Sequence, residues 1–187
     1  MTRKEQITTV ATNMFQEKGY NATSMRDLAS KVGIEPASLY NHIKSKGEIL
    51  QNICFEIAGQ FIQEVEEAIA YHLDPEKRLR AAIKGHLMVI EQNREAAAVF
   101  FQEWKFLQDP YLSDFMIMRR NYEGTFHRIL MKGQKEGVFL QGSEKALAAI
   151  LFSAMNETHH WYFKTSKGSI DEVSDLIANI FLTGIKK

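Results

Sequence analysis

The chain predicts an all-α protein, and three observations carry that expectation. Apolar residues recur at spacings of three and four along most of its 187 residues, no stretch alternates with period two, and prolines stand only at Pro36, Pro75 and Pro110. About nine helices result, the first three making an N-terminal headpiece and the rest a larger C-terminal domain. No run of about 18 apolar residues occurs, and the N-terminus is charged and helical rather than signal-like. A soluble cytoplasmic protein that leaves membranes alone is expected.

The first helix runs from Arg3 to Lys18, with Ile7, Val10, Ala11, Met14 and Phe15 on one stripe and Gly19 ending it. Ser24 and Asp27 form an S-x-x-D box that starts the second, whose apolar face is Leu28, Ala29 and Val32. Gly33 supplies a turn that a residue with a Cβ enters only at a cost. Pro36 opens the third helix at the position where its missing N–H is not needed, and Leu39 and Ile43 seat it on the second. Ala37, Ser38, Tyr40, Asn41 and His42 are left facing outward. Such a pair of helices is either a plain corner or a helix-turn-helix, whose second helix fits a DNA major groove. The amphipathic helix ahead of it favours the second reading.

Beyond Lys46, a helix of about 25 residues carries Ile49, Leu50, Ile53, Ile57, Phe61, Val65 and Ile69, without a Gly/Ser linker before it. Asp74-Pro75 caps the next, with Leu79, Ala82, Ile83, Leu87 and Ile90 inward. Residues 94–107 form a short helix dense in bulk, and Asp109-Pro110 resets the chain before a long helix that reaches about Glu136 and ends at Gly137. Residues 143–164 carry two apolar rows. Leu147, Ile150, Ala154 and Trp161 make one; Ala148, Phe152, Met155 and Tyr162 make the other. A helix apolar on two sides is packed on two sides. Ser169-x-x-Glu172 caps the last helix, which shows one broad stripe through Ile170, Val173, Leu176, Ile177, Ile180 and Phe181.

The order F-x-x-x-G-Y (Phe15 to Tyr20), T-S-M-R-D-L-A (Thr23 to Ala29), V-G-I (Val32 to Ile34) and A-S-L-Y-N-H-I-K-S-K (Ala37 to Lys46) resembles the N-terminal domain of the tetracycline-repressor (TetR) family of bacterial transcription regulators. Two positions depart from the family pattern: Glu35 replaces the usual Ser or Thr cap of the recognition helix, and Ile43 replaces Phe. Near the C-terminus, Asn156 to Tyr162, Gly168 to Glu172 and Ile180 to Ile185 are similar to the TetR subgroup that senses acyl-CoA thioesters. The resemblance implies a DNA-binding domain over residues 1–47 and an effector-binding and dimerisation domain over 48–187. It implies a homodimeric regulator, a repressor released from a palindromic double-stranded operator by a hydrophobic or amphiphilic ligand, with the last two helices joining the protomers.

Candidate DNA contacts divide by task. Thr23, Ser24, Tyr40 and Lys46 are expected on phosphates; Arg26, Ala37, Ser38, Leu39 and His42 near base edges. The resemblance carries Tyr40, His42 and Lys46 onto DNA most directly. Truncating Tyr40 or Lys46 is expected to weaken operator binding without affecting thermal stability. Charge alone argues little, since 23 Lys/Arg balance 23 Asp/Glu, but residues 1–50 hold seven cations against five acids.

For the effector, bulky soft residues gather on the central helices: Met88, Phe101, Trp104, Phe115, Met118, Tyr122, Phe126, Phe152 and Met155. Asn156, His127 and His160 are sparse polar anchors among them, as a mostly apolar pocket requires. Lone Cys54 reads as a packed hydrophobe. An enzyme is not expected. Glu157-x-x-His160 is half of a di-iron motif, but no second Glu-x-x-His exists, and there is no Gly-rich phosphate loop, zinc spacing or nucleophile elbow. No cofactor or metal is called for. A non-haem metal enzyme and a helical adaptor without DNA binding remain the alternatives.

Overall fold

A computed structural model describes residues 2–165 and 168–186 of the chain. Among them lie α1 (Arg3–Lys18), α2 (Met25–Val32), α3 (Pro36–Tyr40), α4 (Lys46–Ala70), α5 (Pro75–Gln92), α6 (Arg94–Glu103), α7 (Tyr111–Lys135), α8 (Glu144–Asn156), α9 (Thr158–Thr165) and α10 (Ile170–Ile185), with one 3-10 turn at Trp104–Phe106. The described residues form no strand, apart from an isolated bridge between Phe139 and Lys186. None of their helices is long and apolar enough to cross a membrane. The all-α expectation stands.

Helix starts follow local chemistry. Thr2, Ser24 and Ser169 each accept from the N–H three residues on, while Glu5, Asp27 and Glu172 return a carboxylate to the cap N–H. Asp74 accepts from the Lys77 N–H at 2.9 Å, and Ser143 caps α8. Gly19, Gly33 and Gly137 take positive φ at helix ends.

Two compact units result: Met1–Ile57 with Asn93–Met116, and Ala58–Gln92 with Ile117–Lys187. In the first, Ile7, Phe15, Leu28, Leu39, Ile43, Ile49 and Leu50 are fully buried. In the second, α5 and α10 lie along one another, with Leu79, Ile83, Leu87, Ala178 and Leu182 buried.

The helix expected over 143–164 is in fact two, α8 and α9, broken at Glu157. The Thr158 hydroxyl donates to the Met155 carbonyl at 2.6 Å, and the His159 ring bonds the Asn156 carbonyl. Both carbonyls are thereby drawn from the helical ladder, and side-chain competition of this kind bends or ends a helix. The two rows survive the break. Ala148, Met155 and Tyr162 are buried, whereas Ile150 (61% exposed), Ala154 and Trp161 face outward.

After α7 the chain folds back so that the Phe139 ring covers Gly133, and the Val138 and Phe139 N–H groups both donate to the Gly133 carbonyl. A Cβ on Gly133 would fall inside that ring. Gly133→Ala is therefore expected to cost about 1–3 kcal/mol despite its better helix propensity. A melting temperature equal to or above wild type would show that Phe139 repacks freely.

Candidate functional site

The exposed face of α3 rests on Leu39 and Ile43, which are 0% and 1% exposed. Leu39 thus lies beneath the surface it was expected to form, and it leaves the set of base contacts. Above it Ala37, Tyr40 and His42 are exposed, Tyr40 by 53%, with Ser38 half-buried. α3 begins at Pro36, and Glu35 at its N-cap makes no side-chain cap bond. Arg26 is exposed on α2.

Three expected phosphate holders are committed elsewhere. Thr23 is 2% exposed, and its hydroxyl donates to the Gly19 carbonyl at 3.0 Å. That bond closes the α1–α2 turn, so Thr23 is structural. The Ser24 hydroxyl gives its proton to Asp27 at 2.6 Å while accepting from the Asp27 N–H, which holds the Asp27 carboxyl below its usual range. Lys46 Nζ donates to the carbonyls of Tyr20 (2.7 Å) and Thr23 (2.9 Å) and lies 4.3 Å from the centre of the Tyr20 ring. Burial pushes its pKa down. Tyr20 is in turn stacked on Phe106 at 5.5 Å and meets Phe15 edge-on at 5.2 Å. Lys46 is thus a clamp on the headpiece.

Arg26, Ala37, Ser38, Tyr40 and His42 remain as the presented set. Sequence reasoning passed over Lys44, exposed beside them on the α3–α4 connection, although its place between Ile43 and the clamp residue marks it. A groove of about 680 Å³ runs past that connection, lined by residues including Lys44, Asn52, Gln108 and Tyr111.

The expected pocket residues separate into two aromatic clusters. Phe101, Trp104 and Phe115 belong to the first unit, where Phe100 meets Phe101 at 5.1 Å and Phe115 at 5.4 Å, and Trp104 stacks on Phe115 at 5.8 Å. Tyr122, Phe126 and Phe152 belong to the second, with centroids 4.8–5.9 Å apart. Met155 is buried; Met88, Met118, His127 and Asn156 are half-buried. His160 is exposed and is no pocket anchor.

The second cluster holds two residues the sequence reading missed. Phe61 stacks on His86 at 4.6 Å, and His86 Nδ1 lies 2.8 Å from the Tyr122 hydroxyl. Burial lowers the His86 pKa to about 3, against a smaller opposing influence of the neighbouring Asn156. Burial likewise holds the Tyr122 hydroxyl protonated. Spacing carried the signal: His86 sits three, four and seven residues from Ile83, Ala82 and Leu79, on the inner face of α5. Tyr122 is also one wall of a cleft of about 260 Å³, with Ile62, Val65, Glu66, Asn121, Thr125 and Arg128. Among the described residues no three His, Cys, Asp or Glu side chains gather as metal ligands would. Cys54 is buried, and desolvation with the Glu103 charge pushes its thiol up to about 12.

Residues 7–53 match the family described as "Bacterial regulatory proteins, tetR family", and residues 72–185 match "Tetracyclin repressor-like, C-terminal domain". The HTH-type transcriptional repressor KstR2 of Rhodococcus jostii (strain RHA1) is 26% identical over 191 residues, covering 98% of this chain and 91% of that protein. The fatty acid metabolism regulator protein of Bacillus subtilis (strain 168) is 24% identical over 182 residues, covering 96% and 94%. Among solved structures, AibR in complex with isovaleryl coenzyme A and operator DNA shares the fold with a TM-score of 0.85 at 17% identity, covering 96% of this chain and 97% of that one.

Lys46→Met keeps most of the aliphatic stem but removes two charge-assisted bonds, so a loss of about 1–3 kcal/mol is expected. A thermal melt matching wild type would return Lys46 to a purely DNA-facing role. His86 yields a pH dependence. Its ring stays neutral in the fold to about pH 3, while the unfolded chain takes up the proton near its ordinary 6.5. Stability is therefore full above about pH 6.5 and falls as pH drops through the interval, by up to about 1.4 kcal/mol per unit. The capped carboxylates act only below their unfolded values near about 4. Melts between about pH 5 and 7.5 should show a steeper acid loss for wild type than for His86→Phe, and parallel curves would refute the assignment.

Proposed function

We propose that this chain, which belongs to the TetR family of bacterial regulatory proteins, represses transcription from a palindromic operator as a homodimer and releases it on binding a small amphiphilic effector. The observation that carries the DNA reading is the α3 surface. Leu39 and Ile43 are spent beneath it, Ala37, Tyr40 and His42 stand above it, and Lys46 ties the turn beside it. Tyr40 suits a phosphate contact, and Arg26, Ser38 and His42 suit base edges. Residues 1–47 would grip DNA, and residues 48–187 would hold the effector and the partner.

The outward row of α8 and α9, with Leu176 (54% exposed) and Ile180 (66% exposed) on α10, supports the homodimer. Apolar positions exposed along adjoining helices are costly in water and match a two-fold helical interface. The aromatic cluster around His86 supports an apolar effector body. A relative named for fatty acid metabolism and a fold neighbour solved with isovaleryl coenzyme A favour an acyl-CoA thioester. The effector acts by favouring a conformation unfit for DNA, a shift worth about 1–3 kcal/mol.

Selection from a random duplex library tests the proposal. Wild-type protein should enrich a palindrome whose half-sites lie about 34–36 Å apart or a multiple of that. Tyr40→Ala should lose about tenfold in affinity for it, roughly 1.4 kcal/mol, with an unchanged melt. An unenriched library would overturn the reading.

A further inference from the structure

The helical backbone of the DNA-facing surface continues past Tyr40. Asn41 keeps right-handed dihedrals, φ −70° and ψ −20°. The Asn41 N–H donates to the Ser38 carbonyl at 3.2 Å, and the His42 and Ile43 N–H groups both donate to the Leu39 carbonyl, at 3.0 and 3.1 Å. Side chains from Ala37 to Ile43 therefore step round the axis by about 100° per residue. Buried Leu39 and Ile43 mark the inner side. Asn41 is two residues from each, so it points about 160° away from both. Ala37, one turn earlier, lies within about 40° of it, while Tyr40 and His42 stand about 100° to either side. Asn41 is the crest of the exposed face.

The side chain at that crest is uncommitted. Among the described residues no hydrogen bond, ion pair or ring contact engages the Asn41 amide, and the residue is exposed. Thr23, Ser24 and Lys46, by contrast, are bonded to their own chain. In the major groove adenine offers an acceptor, N7, beside a donor, N6–H2; guanine offers two acceptors, and each pyrimidine a single polar group. A carboxamide carries one acceptor and one donor on separate atoms that point the same way. On the exposed surface of α3 and its last turn, Ala37, Ser38, Tyr40 and His42 carry no such pair, and Asn41 does. Asparagine is short, so its amide reaches a base edge only where the backbone comes close. Ala37, exposed on the same row with nothing beyond its methyl, permits that approach.

We propose that Asn41 reads an adenine in each half-site, its carbonyl oxygen accepting from N6–H2 and its NH2 donating to N7. This rests on the DNA reading above and deepens it: the pair of residues at the crest decides sequence, and the flanking side chains hold the helix in the groove.

Parallel selections from a random duplex library, with full-length wild type and Asn41→Ala, test this. Asn41→Ala should melt as wild type does and enrich the same palindrome, with one symmetric pair of A·T positions relaxed and the others kept. The expected loss at that pair is about tenfold in affinity for the original base over its alternatives. Replacing that adenine by 7-deazaadenine removes N7 and leaves base pairing intact. Wild type should then bind about fivefold more weakly, and Asn41→Ala should not distinguish the two duplexes. An Asn41 with a purely structural role would weaken every sequence alike and leave the profile unchanged. An unchanged profile, relaxation at a G·C pair, or a 7-deazaadenine penalty that survives Asn41→Ala overturns this inference alone. Failure of wild type to enrich any palindrome overturns the DNA reading and this inference with it.

Discussion

The grip of one ammonium on two carbonyls sets the geometry of the DNA-facing end. Lys46 sits at the start of α4 and reaches back to Tyr20 and Thr23, in the turn between α1 and α2. Those carbonyls would otherwise be half-buried without a helical partner. An ammonium satisfies both at once, and its partial burial is offset by charge-assisted bonds and by the Tyr20 ring 4.3 Å away. The same turn is closed from inside by the Thr23 hydroxyl and flanked by Gly19 at φ 86°. At the foot of α4, Glu48 accepts from the Lys44 N–H at 2.8 Å and from Lys4 Nζ at 3.1 Å. The exposed edge of α3 therefore stands on a frame whose hydrogen bonds are local and directional, so it is held at rest and pays little ordering entropy on meeting a duplex.

Most of the fold was legible because its signals are local. Capping boxes at Ser24 and Ser169, an Asp-Pro start at Pro75, and glycines at helix ends each specify a boundary within four residues, and each appears where the sequence placed it. The family resemblance added the identity of the headpiece. What stayed hidden depends on partners far along the chain or on orientation. Nothing in the string Met155-Asn156-Glu157-Thr158-His159 says that two side chains will take two backbone carbonyls and end α8. Nor does the sequence tell a hydroxyl that faces phosphate from one that faces its own turn: Thr23 and Ser24 are both polar and both beside α2, and both are already bonded. Leu39 was misplaced for a related reason. In a helix of five residues, one position decides between lying under the surface and forming it.

The effector side shows where composition stops informing. Nine residues chosen for bulk and softness were expected to meet, and they fall into two units. Aromatic side chains fill any helical core, so their number cannot say which of them share a wall. A buried polar group is more telling, since each one must be matched. His86 was passed over as one polar residue on an apolar face, yet it meets the Tyr122 hydroxyl and stacks among the rings of Phe61 and Phe152.

Formal neutrality does not weigh against nucleic acid here, because three of the five acids of the headpiece are spent on its own backbone. Glu5, Asp27 and Glu48 each accept from an N–H at or just before a helix start, close to their own chain and at the positive end of a helix dipole. The cations are less committed: Arg26, Lys31 and Lys44 are exposed. The field toward a duplex is thus set by placement, and pairing two protomers doubles it. It remains modest. With few uncommitted cations per protomer, counterion release supplies less affinity than in strongly basic DNA-binding proteins. Short-range contacts from Arg26, Ser38, Tyr40 and His42 must then supply a larger share, and contacts of that kind are the ones that tell one sequence from another.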